Sequence, residues 1–583
     1  MWFKNLDKIR NYFNQNQDKF GLNILYSTPS CYLKSLNDAK RSWPKKTDDF
    51  FPYASDPHAY WTGYFTSRSS LKGMIRSANS LLQSCKQLHA VAGGLQDPRL
   101  EAAKRAVAVN QHHDAVTGTA KQHVTDDYAL RLDRGMRGCS ELMMETLGER
   151  SGCQLSTFCP LLNISQCGHT ERRSEMTVTV YNPRTVAVDT PVRLPVTAGG
   201  DFTVRSLGSG QEVESQTVPV PREVLSLPGR DSKARYELVF MAEAVPALAY
   251  SVFSVQRQPG PSRVKTEKIQ FAVGGKTAPP VMKNNKLQVH FNRQGVMTQI
   301  QTNNAGGGET IKISQDFAFY RGAVGNNSRP EFRASGAYIF RPVSQQPTPV
   351  GDPVSAYLVR GPVVQEVHQR FNDWCSQVIR LYRGQNTVEF EWLIGPLPPQ
   401  EKDSPGLEVI TRYSTDLNSQ DSFDTDSNGR LMISRRRNFR PSWELNLTEP
   451  VSSNYYPVTS RLSLAEQTNS VAQQRRQLWV MTDRAQGGSS LQSGQLELML
   501  HRRLFNDDAF GVGEALNETA FGVGLAVRGK HSLLPCVDTA LGCEAESRLV
   551  AETNLMKPVI LLGNSCRVSN FRSKIYINKI QHS

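Results

Sequence analysis

The sequence predicts a multidomain α+β protein: a short α/β piece, a three-helix bundle and a large all-β region. Three observations lead there. Apolar residues recur at helical spacing between about residues 64 and 150. From about residue 172 the period becomes two. With 42 Gly and 32 Pro, the chain has turn residues enough for many strands. Its 583 residues set a prior of roughly three to four domains.

Residues 1–55 are mixed. Leu22, Ile24, Leu25 and Tyr26 make a short strand-like run before Pro29, and Asp48 to Tyr53 reads as a loop. A strand flanked by helical segments is an α/β piece, too short to close a sheet on itself. Residues 56–150 hold the bundle. Leu71, Ile75, Ala78, Leu82, Cys85 and Leu88 share one helix face, which Gly93-Gly94 ends. Asp97-Pro98 caps a second helix carrying Leu100, Ala103 and Val107, and a third shows Val124, Tyr128, Leu132, Met136, Met143 and Leu147. Residues 151–171 form a linker in which Cys159 and Cys167 bracket Asn163 at a spacing that permits a small loop-closing disulfide. Over 172–556 the alternation is repeated, as in Val388, Phe390, Trp392 and Ile394 with Glu389 and Glu391 between them, one face packed and the other wet. So long a run of strands needs two or more sandwiches. From about 557 the rhythm lapses, and 557–583 reads as a tail.

Composition narrows the function. The net charge is +14, from 68 basic and 54 acidic residues, but the basic residues are dispersed and no aromatic-interleaved basic groove is visible, so a nucleic-acid partner is not expected. No stretch reaches the ~18 apolar residues of a membrane helix, and MWFKNLDKIRNYFNQNQ lacks the apolar core of a signal peptide. Sequons at Asn163, Asn326, Asn446 and Asn517 nevertheless point to glycosylation in a secretory-pathway lumen, and the ten cysteines contain no C-x-x-C pair.

Asp424, Asp426 and Asn428 have calcium-loop spacing, but Arg435 stands where the bidentate glutamate belongs, so Asn428-Gly429 is read as a hairpin turn. The AFGVG segments at 509–513 and 520–524 complete no phosphate loop. What remains is Gln111-His112-His113-Asp114-Ala115-Val116-Thr117-Gly118-Thr119, at the junction of the second and third helices. Adjacent imidazoles normally diverge, so one is expected to face a site, giving one metal ligand beside one acceptor for a sugar hydroxyl. A catalytic zinc takes about three protein ligands and an open position. A helix cap with hydrogen-bonded histidines is the structural alternative.

QHHDAVTGTAKQHVTDDYA, with DDFFPYA, YWTGYFTSR, SGAYIFRP, VEFEWLIGPLP, TDSNGRLMISRRRNFRP, NYYPV and HRRLFNDD, resembles the retaining α-mannosidases of glycoside hydrolase family 38, in their lysosomal branch, up to about residue 556. That resemblance implies a seven-stranded α/β barrel, of which 1–55 is a C-terminal remnant, then a three-helix bundle and β-sandwiches. It implies zinc-dependent, retaining hydrolysis of terminal α-mannose on N-glycan oligosaccharides, by one nucleophilic and one acid/base carboxylate, in the lysosome. Residue by residue, His113 matches a zinc ligand, Asp114 a carboxylate bonding sugar hydroxyls, Trp61 an aromatic wall and Tyr338 a tyrosine from the β region. Cys85–Cys139 and Cys159–Cys167 match intact bridges, while Cys31 lacks its partner.

The departures shape the expectation. The family's H-x-D motif, nucleophile and acid/base aspartate have no counterpart in this sequence, and Phe510 stands where the family usually carries an arginine. The resemblance therefore implies a chain truncated at its start and at its end, inactive alone, whose partners are mannose-terminated oligosaccharides and either further copies or a missing N-terminal portion, with no membrane. The rival reading is a non-catalytic carbohydrate-binding or scaffold protein built on the sandwiches.

Overall fold

The computed structural model describes residues 2–94, 96–260, 266–272, 278–303, 308–398, 404–468, 475–538 and 540–566. It divides into two compact units, 1–49 and 50–583. The first holds helices α1 (Trp2–Gln15), α2 (Gln17–Phe20) and α3 (Pro29–Asp38). Thr28 caps α3, its hydroxyl accepting from Cys31 N–H at 3.3 Å. The strand expected over Leu22 to Tyr26 is corrected: no strand pairs with it. The Asn14 side chain instead satisfies Ile24, accepting from its N–H and donating to its carbonyl, each at 2.8 Å. Trp2, Phe3, Leu25 and Tyr32 on this unit are exposed. No sheet among the described residues closes into a barrel.

The second unit opens with the bundle, α4 (Ser69–Val91), α5 (Pro98–Val109) and α6 (Gln122–Ser151). Asp97 caps α5 by accepting from Arg99 N–H at 2.8 Å. Leu71, Ile75 and Leu82 of α4 pack with Leu100, Ala103 and Val107 of α5 and with Leu132, Met143 and Leu147 of α6. Gly135 lets α5 approach, since a Cβ there would stand 3.0 Å from Ala103 Cα.

Two sandwiches follow. In the smaller, a six-stranded antiparallel sheet with Glu175–Tyr181 and Tyr250–Arg257 at its centre faces a three-stranded sheet of Val188–Val196, Tyr236–Val245 and Ser215–Pro219. Val178, Val180, Val192, Leu194, Leu238, Phe240 and Phe253 fill the space between. The tail expected from 557 begins as a strand. Val559–Cys566 is an interior strand of the six-stranded sheet, between Cys153–Thr157 and Glu175–Tyr181, and residues 567–583 lie outside the described residues.

The larger sandwich sets a nine-stranded sheet against a ten-stranded one around Val289, Phe291, Ile379, Phe390, Leu462, Leu498 and Leu533. The outer face of Val388–Ile394 is not wet. Arg380, fully buried, pairs with Glu366 at 2.7 Å, Glu389 at 2.9 Å and Glu391 at 2.6 Å. Arg193 of the small sandwich joins them, 2.8 Å from Glu366. These guanidiniums hold the Glu366 carboxyl well below the usual range against its burial. The Asn428-Gly429 segment turns between strands Ser422–Ser427 and Leu431–Arg436. Asp426 there is filled with donors, accepting from Gly429, Thr459 and Ser460 N–H at 2.7–3.0 Å. No described helix is long and apolar enough to cross a membrane.

Candidate functional site

The turn between α5 and α6 carries the histidine pair. Asn110 ends α5, its Nδ2 donating to the Ala106 carbonyl at 2.9 Å. Tight turns follow: His112 N–H to Val109 O at 3.0 Å, Ala115 N–H to His112 O at 2.9 Å, Gly118 N–H to Ala115 O at 3.0 Å. Gly118 has φ +77°, and a Cβ there would lie 2.3 Å from the Ser67 carbonyl oxygen, so the position takes glycine. Two buried cations hold the segment from below. Arg68 donates to the Ala120 carbonyl at 2.8 Å and to Gln122 Oε1 at 2.6 Å, and pairs with Glu518 at 3.2 Å. Lys72 donates to the Val116 carbonyl at 2.5 Å.

The two imidazoles converge on one carboxylate. His112 Nε2 is 3.3 Å and His113 Nε2 3.5 Å from Asp114 Oδ2, with ring centroids 4.3 Å apart. This corrects the expectation that adjacent imidazoles diverge: successive tight turns replace the alternating directions of an extended backbone. One donor atom from each of the three residues lies within 4.8 Å of the others, a cluster able to coordinate a metal ion. Two imidazole nitrogens and a carboxylate oxygen suit zinc in kind and number. The His113 side chain is 84% exposed, so the cluster opens to solvent.

The second oxygen of Asp114 is engaged. Oδ1 accepts from the Tyr338 hydroxyl and from Thr119 Oγ1, both at 3.0 Å. Burial first, with the Asp114 carboxylate adding to it, pushes the Tyr338 phenol up, and the Thr119 hydrogen bond opposes them. The Tyr338 ring packs 4.8 Å from Trp61, and Phe510 lies 5.0 Å from Trp61 and 6.2 Å from Tyr338. Trp61 is oriented by its indole N–H donating to Ser55 Oγ at 3.1 Å. The fold thus brings His113, Asp114, Trp61 and Tyr338 together, with His112 and Phe510 beside them.

Three supporting residues escaped the sequence reading. Asp508 accepts from the N–H groups of Tyr338 and Ile339 at 2.7 and 2.9 Å, fixing the backbone that presents the phenol. Arg502, fully buried, pairs with Glu408 at 2.8 Å and donates to Ser67 Oγ and the Gly336 carbonyl, each at 2.8 Å. Arg333 pairs with Asp56 at 2.7 Å and lies over the Phe510 ring at 4.9 Å. Charged types read as surface until burial is known, and only their place in strings such as HRRLFNDD marked the first two. Away from this cluster, Asn163, Asn326, Asn446 and Asn517 are all exposed. Cys85 pairs with Cys139 and Cys159 with Cys167, and two further bridges, Cys153–Cys566 and Cys536–Cys543, join them; Cys31 and Cys375 are free.

Three domain families match the chain: the alpha mannosidase middle domain over 59–149, the lysosomal alpha-mannosidase-like central domain over 213–255, and the glycosyl hydrolases family 38 C-terminal domain over 282–510. Together they take in more than half of it, and the chain belongs to glycosyl hydrolase family 38. It is 44% identical over 577 residues to the lysosomal alpha-mannosidase of Cavia porcellus, with 96% of this chain and 54% of that protein covered. To the lysosomal alpha-mannosidase of Homo sapiens it is 42% identical over 579 residues, 97% and 54% covered. The chain spans about half the length of these curated relatives. In fold it is similar to the crystal structure of an alpha-mannosidase from Enterococcus faecalis, with a TM-score of 0.59, 13% identity, and 94% and 63% of the two chains covered.

Proposed function

We propose that this chain carries part of a zinc-dependent, retaining α-mannosidase site of the lysosomal type, acting on terminal α-mannose of N-glycan oligosaccharides. The observation that carries it is the single cluster of His113, Asp114, Tyr338 and Trp61, drawn from positions far apart in sequence. His113 would hold zinc, with His112 and Asp114 within reach, and zinc when bound supplies a Lewis acid that orients sugar hydroxyls. Asp114 accepts from a sugar hydroxyl and keeps its orientation through Tyr338 and Thr119. Trp61 offers its face to the apolar side of the ring, and Phe510, 5.0 Å from it, extends that wall. Residues 1–55 are read as the C-terminal remnant of a larger α/β barrel domain, in keeping with the exposed Trp2, Phe3, Leu25 and Tyr32.

The nucleophile and acid/base are, in this reading, not among the 583 residues, so the polypeptide by itself binds sugar without hydrolysing it. Purified chain should show no turnover of an aryl α-mannoside, with or without added zinc, while Trp61→Ala weakens mannose-oligosaccharide binding about tenfold or more. Stoichiometric zinc with turnover would sink the inactive reading. Binding that ignores Trp61 favours the sandwiches as the carbohydrate surface.

A further inference from the structure

The linker around 156–173 and the end of strand Val559–Cys566 line an open cavity of about 680 Å³, which shares no residue with the histidine cluster. Its charged lining has one sign. Arg172, Arg173 and His169 border it and no carboxylate does. Neither arginine is held in an ion pair among the described residues. Gly168 makes room for one of them: a Cβ there would stand 2.8 Å from Arg172 Nη1.

Two buried polar atoms of the lining lack partners, His169 Nε2 and Asn564 Oδ1. His169 is only 7% exposed. Its Nδ1 lies 3.1 Å from Thr157 Oγ1. Burial first, then Arg173, pushes this imidazole down, and a hydrogen bond to the Gly563 backbone opposes them. When the Thr157 hydroxyl donates to Nδ1, the ring proton sits on Nε2, the donor on the cavity side. Asn564 Oδ1 is the complementary element, an acceptor that needs a hydroxyl or N–H.

We propose that this cavity binds a phosphate or sulfate monoester of a polyol. The guanidiniums of Arg172 and Arg173 and the His169 Nε2–H take the tetrahedral dianion, and Asn564 Oδ1 accepts from a hydroxyl of the organic part. Two forks and a third donor suit a divalent tetrahedral group better than a carboxylate, which one guanidinium satisfies. The volume exceeds what an inorganic ion fills and lies in the range of small-molecule sites. Phe158, Pro160 and Leu161 give the carbon skeleton an apolar wall.

Calorimetric titration of the full chain with glucose 6-phosphate, inorganic phosphate, glucose and acetate tests this. Glucose 6-phosphate should bind saturably, inorganic phosphate more weakly, and the other two not at all. Arg172→Gln with Arg173→Gln, two exposed positions, should weaken the ester about tenfold or more while leaving the ligand-free melting temperature unchanged. Asn564→Asp, which adds a carboxylate to the wall, should weaken it further. Inorganic phosphate binding as tightly as the ester assigns the site to the free ion and overturns the polyol part. Failure of the ester to bind, equal binding of glucose or acetate, or indifference to the arginine pair overturns the proposal.

Discussion

At the scale of single residues, the site depends on cations that sit where water cannot. Lys72 is the clearest. Burial first, then the Arg502 and Arg68 guanidiniums, push its ammonium down to about 7, with Glu518 opposing. An unfolded lysine titrates at about 10.4. Between those values the unfolded chain binds a proton that the folded chain has shed, so Lys72 makes stability rise with pH across that window and contributes no slope below about 7. Lys72→Met should remove that slope, up to about 1.4 kcal/mol per pH unit, measured as the difference in urea unfolding between parent and variant from pH 7 to 10. Equal slopes would mean that Lys72 stays charged when buried. His113, Asp114, Trp61 and Tyr338 were singled out because each lies in a motif that carries the family resemblance, and the fold places Asp114 against Tyr338 and Tyr338 against Trp61. Arg502 and Asp508 were not singled out, because their roles are backbone hydrogen bonds made to residues more than 150 positions away.

At the scale of elements, the decisive piece is the turn at 110–121, whose shape rests on Gly118. Gly118→Ala would put a Cβ 2.3 Å from the Ser67 carbonyl and hold a non-glycine residue at φ +77°. The left-handed conformation alone costs about 1–2 kcal/mol. Displacement of Ser67, which Arg502 holds, adds to it, so a loss of about 2 kcal/mol or more in urea unfolding is expected. A loss below about 0.5 kcal/mol would show that the turn relaxes freely. The elements themselves were unevenly readable. The bundle declared its caps and its period. Val559–Cys566 did not, because a strand paired on both sides and covered on both faces reads as a continuous apolar run, Val-Ile-Leu-Leu, rather than an alternation. Residues 22–26 make an apolar, strand-like run yet form no strand, because two side-chain hydrogen bonds from Asn14 to Ile24 take the place of a ladder. Glu389 and Glu391 suggested a wet face, and only the tertiary fold brings Arg380 and Arg193 to cover it.

At the scale of the second unit, chain connectivity is closed by a covalent link between its early and late segments. Cys153 and Cys566, 413 positions apart, join the neighbouring strands Cys153–Thr157 and Val559–Cys566. Cys159–Cys167, in the linker beside them, spans only 8. A cross-link stabilises chiefly by restricting the unfolded chain, and the restriction grows with the logarithm of the loop. The chain-entropy relation gives roughly 6 kcal/mol for the long loop and roughly 2.6 kcal/mol for the short one, with measured bridges more often near 2–5 kcal/mol. The small sandwich has a second tie to the large one in the Arg193–Glu366–Arg380 network, which survives reduction. Cys153→Ser with Cys566→Ser should therefore leave the large sandwich folded while the six-stranded sheet opens at lower temperature. The loss should be about twice that of Cys159→Ser with Cys167→Ser. Hydrogen exchange resolved along the chain checks this, with protection expected to fall first in 153–157 and 559–566. Equal losses for the two pairs, or exchange rising uniformly over both sandwiches, would mean that loop length is not what this bridge contributes and that the two sandwiches unfold as one.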